Sequence, residues 1–469
     1  MRQTRLRMNS TTPAIVPSGF RGLIGAARQD ITPPIGIFAR NWGAASHDAA
    51  EGIHRQLTLT CLTFQAEPDS APLVLIGADL GWWRNREDEW ALRGAILETF
   101  NLDESRLMFC LAHTHAGPGL QRADADRPGG HLIGPYLDHL RHSAIRAVRA
   151  ALSGACPATL TWRYGRCDLA VNRDLPEPGQ GKRIVVGYNP WLAADDTLLV
   201  GRITLDGPDR TLATIVNYAC HPTTLAWENR LISPDYVGAM RELVESATAA
   251  PCLFLQGASG ELAPAEQYTA DVAVADRHGR RLGHAVLATL EAMQRPGKAL
   301  AFQRVVESGA ALAVWNQVET NLSSALAAEM HQVEFHLKPL PPLAEIQRQW
   351  RQTSDPVHKE RLARKLGVRR FVGDGATTSM PLWLWRLGDS LLLGQANEAY
   401  SKLQLDLRAR FAPRALAVMN LVNGSLGYLA PAHCYDGPEL YQVWQSPFQR
   451  GSLEQLIAAA TAAAERLLC

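Results

Sequence analysis

The chain has almost no surplus of charge of either sign. Its 47 lysines and arginines stand against 46 aspartates and glutamates, a formal net charge of +1 over 469 residues. Without a basic surplus there is no long-range field to gather phosphates, so no nucleic-acid partner is expected. A few cations, Arg2, Arg5 and Arg7, cluster at the start of the chain. Cysteines are few and scattered: eight in all (61, 110, 156, 167, 220, 252, 434 and 469), mostly inside apolar runs and with no Cys-x-x-Cys pair. They suggest neither a disulfide framework nor a zinc knuckle and read as reduced core thiols. No run approaches the ~18 consecutive apolar residues of a membrane span, and the opening lacks the roughly 7–15-residue apolar stretch of a secretory signal. The expectations are a cytoplasmic location, no stable membrane insertion and a flexible N-terminus over residues 1–19. No segment repeats with a period of about 20–50 residues, which excludes solenoids and propellers.

What is present is the composition of an ordinary globular protein, 46% hydrophobic and 20% charged, with length enough for a large core. Strand-length apolar runs, often β-branched, fall at 57–64, 72–79, 107–112, 159–164, 212–219, 251–256, 381–387, 390–394 and 416–422. Helical periodicity falls between them at 87–100, 136–152, 236–248, 272–294, 342–366, 399–411 and 453–467. Strands interspersed with helices predict an α/β fold, a mixed α+β layered arrangement with mixed sheets flanked by helices. The expected organisation is one domain over 20–469. Its most polar stretch, 299–380, reads as a solvated surface helix or a cover inserted over the site.

Polar and titratable residues collect just beyond the strand runs, where open α/β sheets bind ligands. The run at 107–112 leads into His113-Thr114-His115-Ala116-Gly117-Pro118-Gly119. Histidines at i and i+2 on a strand face the same way, and neutral imidazole is a common zinc ligand; two satisfied histidines at a polar strand end are the plain alternative. His221 follows the run at 212–219. The run at 251–256 enters the turn Gly257-Ala258-Ser259-Gly260-Glu261, whose amides could hold an oxyanion, although the spacing is not that of a hydrolase nucleophile elbow. Glu398 and Tyr428 stand beyond the runs at 390–394 and 416–422. Trp82, Trp83 and Trp227 are candidates for an apolar pocket or for core. Asp79 and Asp235 are candidates for orienting the histidines or for capping helices.

Taken in order, Gly22-Leu23-Ile24-Gly25-Ala26-Ala27, Asp30-Ile31-Thr32-Pro33-Pro34, His113-Thr114-His115, His221-Pro222, Phe254-Leu255-Gln256-Gly257, Gly260-Glu261 and Gly427-Tyr428 resemble the neutral (non-lysosomal) ceramidases, zinc-dependent amide hydrolases. The resemblance covers most of residues 20–445. It implies one Zn²⁺ held by His113, His221, Glu398 and Tyr428. His115 then faces the reacting group, Arg173 matches an active-site arginine, and Tyr435 or Tyr441 supplies a second tyrosine. The implied substrate is a small-molecule N-acyl amide. Gly257 stands where the ceramidases place a serine, and Gly260-Glu261 replaces their Gly-Asp; the amidase expectation survives this better than ceramide as substrate. No immunoglobulin-like C-terminal domain is expected after residue 469. Two rival readings stay open: a metal-dependent amidohydrolase on a β/α barrel, and a ligand-binding relative without activity.

Overall fold

The computed structural model describes residues 13–179, 183–207, 210–437 and 440–469 and, within these, every side chain except that of Pro356. Much of the expected flexible N-terminus, residues 1–12, lies outside the described residues. Immediately after it, Ala14–Ile15 pairs antiparallel with the strand Lys298–Glu307.

Two mixed sheets lie face to face. The larger has eight strands in the order Cys252–Gln256, Thr211–Tyr218, Thr197–Leu205, Cys156–Arg166, Gly19–Asp30, Thr58–Gln65, Leu73–Ala78 and Leu107–Leu111. The smaller has four: Leu326–His336, Thr377–Leu387, Ser390–Gln395 and Leu416–Met419. Helices α1 (Arg86–Phe100), α2 (Ile133–Ser153), α3 (Tyr236–Thr248) and α4 (Val272–Glu291) pack on the larger sheet or on one another. Helices α5 (Leu343–Gln352), α6 (Pro356–Val372), α7 (Lys402–Phe411), α8 (Tyr441–Gln445) and α9 (Ser452–Leu468) belong to the second half.

Period-two alternation sorts each strand's side chains between cores. Met108 and Cys110, Leu253 and Leu255, Trp383 and Trp385, and Ala417 and Met419 point into the space between the sheets. Their neighbours Leu107 and Phe109, Leu382 and Leu384, and Leu416 and Val418 belong to a second core with α2, α7 and α9, while Cys252 and Phe254 face α3 and α4. Trp383 and Trp385 are fully buried, and their indole N–H groups donate to the carbonyls of Glu104 (3.0 Å) and Ser105 (2.6 Å), which satisfies the polar end of each ring. The two facing sheets are the expected mixed layered fold, not a β/α barrel.

Residues 299–380 contain an exposed hairpin (Lys298–Glu307 with Ala311–Glu319), a strand of the smaller sheet and the pair α5–α6. The helix expected over 342–366 is broken in two. Asp355 caps α6, accepting from the amides of Val357 and His358, and Pro356 opens it.

Candidate metal centre and active site

The larger sheet is antiparallel in its middle and ends at each edge in a parallel pair: Leu73–Ala78 with Leu107–Leu111, and Thr211–Tyr218 with Cys252–Gln256. The smaller sheet has a parallel pair as well, Ser390–Gln395 with Leu416–Met419. A parallel pair delivers both of its chains to the same end of the sheet, which is where ligand crevices form. His113 and His221 leave the first two pairs. The chains leaving the third meet again as Glu398–Ala399 and Tyr428–Leu429, parallel, with Glu398 opposite Tyr428. Side-chain amides fix the sheets to one another. Asn217 donates to Leu255 O (3.1 Å) and Val418 O (2.9 Å), and Asn423 bonds both Phe109 N and Leu107 O at 2.8 Å.

His113 Nε2 and His221 Nε2 lie 3.2 and 3.0 Å from the same oxygen, Glu398 Oε2. The opposite ring nitrogens face main-chain carbonyls: His221 Nδ1 those of Ser259 (2.7 Å) and Leu262 (3.1 Å), His113 Nδ1 that of Gly81 (3.4 Å). A carbonyl only accepts, so each Nδ1 carries the proton and each Nε2 presents its lone pair. Two lone pairs and a carboxylate oxygen therefore converge, with the three ligand atoms within 4.8 Å of one another. His113 Nε2 is buried and, among the described residues, without a hydrogen-bond partner. Such a set repels itself unless a cation sits among its members, and two histidines with one glutamate form a known catalytic zinc set. The residues fit a divalent metal. His113 is held at φ +70°, an unusual conformation for a non-glycine residue, because the chain leaves its strand at Leu111 and turns before the imidazole. That turn, not the expected strand alternation, aims His113 and His115 differently.

Burial and the Arg173 guanidinium hold the His221 imidazole down to about 3, so it is neutral. Arg173 is buried and donates to Gly260 O (2.7 Å), to Tyr428 Oη (3.2 Å) and toward His221 Nε2 (3.2 Å). It pairs with neither neighbouring aspartate: Asp168 takes Arg281, and Asp174 accepts from Tyr400 and Gln442. Tyr428 packs its ring parallel to His221, with centroids 6.4 Å apart. Burial first and Glu398 next push its phenol well above the ordinary value, and Arg173 pulls it back.

His115 stands between Trp82 and Trp42 (ring centroids 4.8 and 5.0 Å) and 4.8 Å from the His113 ring. Both its ring nitrogens are buried without partners among the described residues. Burial and the two neighbouring histidines hold its pKa well below the ordinary value. Tyr441, at the start of α8, lies edge-on to Tyr428 at 5.7 Å, whereas Tyr435 bonds away toward Ser446 and Phe448. The Gly257 amide is not free for an oxyanion, because it donates to Tyr218 O. The Ser259 hydroxyl accepts from Gln256 and meets no histidine. Asp79 binds Arg241 through both oxygens, and Asp235 accepts from the amides of Leu225 and Tyr236. Neither orients a histidine; main-chain carbonyls do. Trp83 is core against Phe109, while Trp82 faces the site.

Sequence reasoning missed three contributors. Arg364 of α6, steadied by Glu360, donates to the Tyr441 hydroxyl, yet α6 reads as a solvated charged helix. Trp42 and Tyr268 lie on irregular segments without periodicity.

No protein-family model matches the sequence, and no curated protein aligns with it. Solved structures do match. Neutral ceramidase from Pseudomonas aeruginosa superposes with a TM-score of 0.64 at 16% identity, over 94% of this chain and 73% of that one. A ceramidase complexed with C2 gives 0.67 at 16% identity, over 96% and 76%. The chain has the neutral ceramidase fold. Within that fold Gly257 has a local reason: a Cβ there would lie 2.9 Å from Ala219 Cβ and 3.0 Å from Ala219 Cα. Among the described residues no helix is long and apolar enough to cross a membrane.

Proposed function

We propose that the protein is a metal-dependent hydrolase, with Zn²⁺ as the expected ion, that cleaves the amide bond of a small or lipid-like N-acyl substrate. One observation carries the reading: two imidazole nitrogens and a carboxylate oxygen from three separate strand ends converge within 4.8 Å of one another, and His113 Nε2 is buried without a hydrogen-bond partner among the described residues. The ceramidase fold supports an amide as the bond attacked and a lipid-like acyl group. Residues 20–469 act as one catalytic domain, with α6 covering the Tyr441 side of the site.

His113, His221, Glu398 and Tyr428 are the proposed ligands. A divalent ion there would acidify a water and polarise the substrate carbonyl. Arg173 serves two ends. Its charge favours the ionised phenol that ligation by Tyr428 requires, and it faces negative charge developing on the reacting carbonyl oxygen. It is held for this by Gly260 O, not by a neutralising carboxylate. Tyr441, fixed by Arg364, closes the same side. His115 is neutral and has both ring nitrogens unengaged, so it is placed to pass a proton to the leaving nitrogen.

The test is metal analysis of the purified protein followed by a panel of N-acyl amides of short and long acyl chain. One zinc per chain and turnover that is lost with chelator and restored by zinc are expected. Stoichiometric zinc with chelator-insensitive turnover, or no cleavage of any amide, would overturn the proposal.

A further inference from the structure

The side of His115 away from the metal ligands is walled by aromatic rings that the chemistry above does not use. Trp227 and Tyr268 stack with centroids 5.7 Å apart and planes 25° from parallel. Trp42 meets both edge-on, at 5.9 and 5.7 Å, and reaches His115 at 5.0 Å. All three rings are half-buried, so the stack borders solvent at one end and His115 at the other. Tyr268 is held at φ +64°, a conformation costly for a bulky side chain. Its hydroxyl is tied to Val186 O (3.2 Å), next to Gly187, whose amide donates to Arg173 O (2.7 Å). Strain and ties fix the ring where a core residue would need neither. At the inner end, the Trp42 indole nitrogen and both His115 nitrogens are buried without partners among the described residues. Buried polar atoms left open in this way can hydrogen-bond to a polar group of a ligand.

We infer that this aromatic shelf is the leaving-group subsite and that the amine released carries a planar aromatic group. The inference rests on the amide-hydrolase reading, because His115 assigns the shelf to the nitrogen side of the scissile bond. The scissile N–H region meets His115 and the Trp42 indole, while the amine's ring lies along Trp227 and Tyr268. Aliphatic groups gain the same burial there but not the ring–ring geometry, which is worth about a two- to tenfold preference.

The experiment compares N-lauroyl phenethylamine with N-lauroyl cyclohexylethylamine, which match in acyl chain and nearly in size, on the zinc-loaded full chain. Wild type is expected to show a kcat/KM about fivefold higher for the phenyl amide. Trp227→Leu erases the preference by raising KM for the phenyl amide, and Trp227→Phe keeps part of it. Equal kcat/KM values in wild type, or Trp227→Leu lowering both substrates alike through kcat, overturn the inference. If neither amide is cleaved, the hydrolase reading fails on its own. The shelf is then judged by quenching of tryptophan fluorescence on binding of the same two amides: phenyl-selective quenching that Trp227→Leu abolishes supports it, and unselective or absent quenching overturns it.

Discussion

If the lone pairs of His113, His221 and Glu398 need a cation between them, metal must stabilise the fold as well as serve turnover. A ligand present at about a thousand times its dissociation constant and bound only by the native state adds roughly 4 kcal/mol. Unfolding entropy of about 2.1 cal/mol/K per residue comes to roughly 1 kcal/mol/K over 469 residues, so the melting temperature rises by about 4 °C. Glu398 contributes the formal charge and the oxygen shared at 3.0 and 3.2 Å. Glu398→Ala should therefore bind zinc at least a hundredfold more weakly and lose more than half of that shift. Differential scanning calorimetry on chelated and zinc-loaded samples of wild type and variant reads both numbers. A wild-type melting temperature indifferent to zinc, or a full shift retained in Glu398→Ala, would refute the argument from converging lone pairs whatever the catalytic activity.

Two further outcomes follow from other parts of the site. Glu261 is buried, and burial raises its carboxyl from an ordinary 4.5 to about 7. The folded state therefore holds a proton that the unfolded state has released, and stability from this group falls as pH rises from 4.5 through 7, by roughly 3 kcal/mol in full. Glu261→Gln should gain on wild type by up to that amount between pH 5 and pH 8 in urea unfolding; an equal difference at both pH values counts against it. Gly257→Ser, which introduces the serine that the resemblance to ceramidases implies here, should cost about 1–3 kcal/mol by overpacking Ala219 and should not raise turnover. A stable, faster Gly257→Ser variant would show that the close contact with Ala219 does not constrain the residue.

The legible parts of this molecule are those whose residues see one environment along their length. The runs at 107–112, 251–256 and 390–394 are buried on both faces, so continuous hydrophobicity marks them, and the abrupt change to histidine, glycine or glutamate marks their ends. The helix at 236–248 matches α3 from end to end. Gly19–Asp30 escapes composition because glycines and arginines interrupt it. Gly25 is required there, since a Cβ would collide with the carbonyl of Ala151 on α2, a contact no local pattern encodes. Leu326–His336 escapes because it is half-exposed and carries Glu329, His331 and Glu334 among its apolar residues. The expected ligands His113, His221 and Glu398 come together; what stayed illegible is what surrounds them. Nothing in α6 distinguishes Arg364, turned inward to Tyr441, from Arg361, which lies over Trp444.

The turn Gly257–Leu262 explains why so sparse a motif suffices. Its carbonyls at Ser259 and Leu262 take the His221 Nδ1 proton, and its Gly260 carbonyl takes Arg173. The Gly260 amide donates to Ala399 O beside Glu398, and the Glu261 carboxyl group accepts from Ser401 N two residues further on. A Cβ at Gly260 would sit 2.9 Å from Glu398 O and 2.6 Å from the Tyr400 ring, so glycine is what allows this approach. One short turn thus fixes His221, Arg173 and the segment bearing Glu398, the three groups proposed for metal and oxyanion binding, and does so mainly through the main chain. Main-chain positioning leaves the side chains around it free to vary. That is how a chain at 16% identity to solved ceramidases can share their fold while its side chains differ.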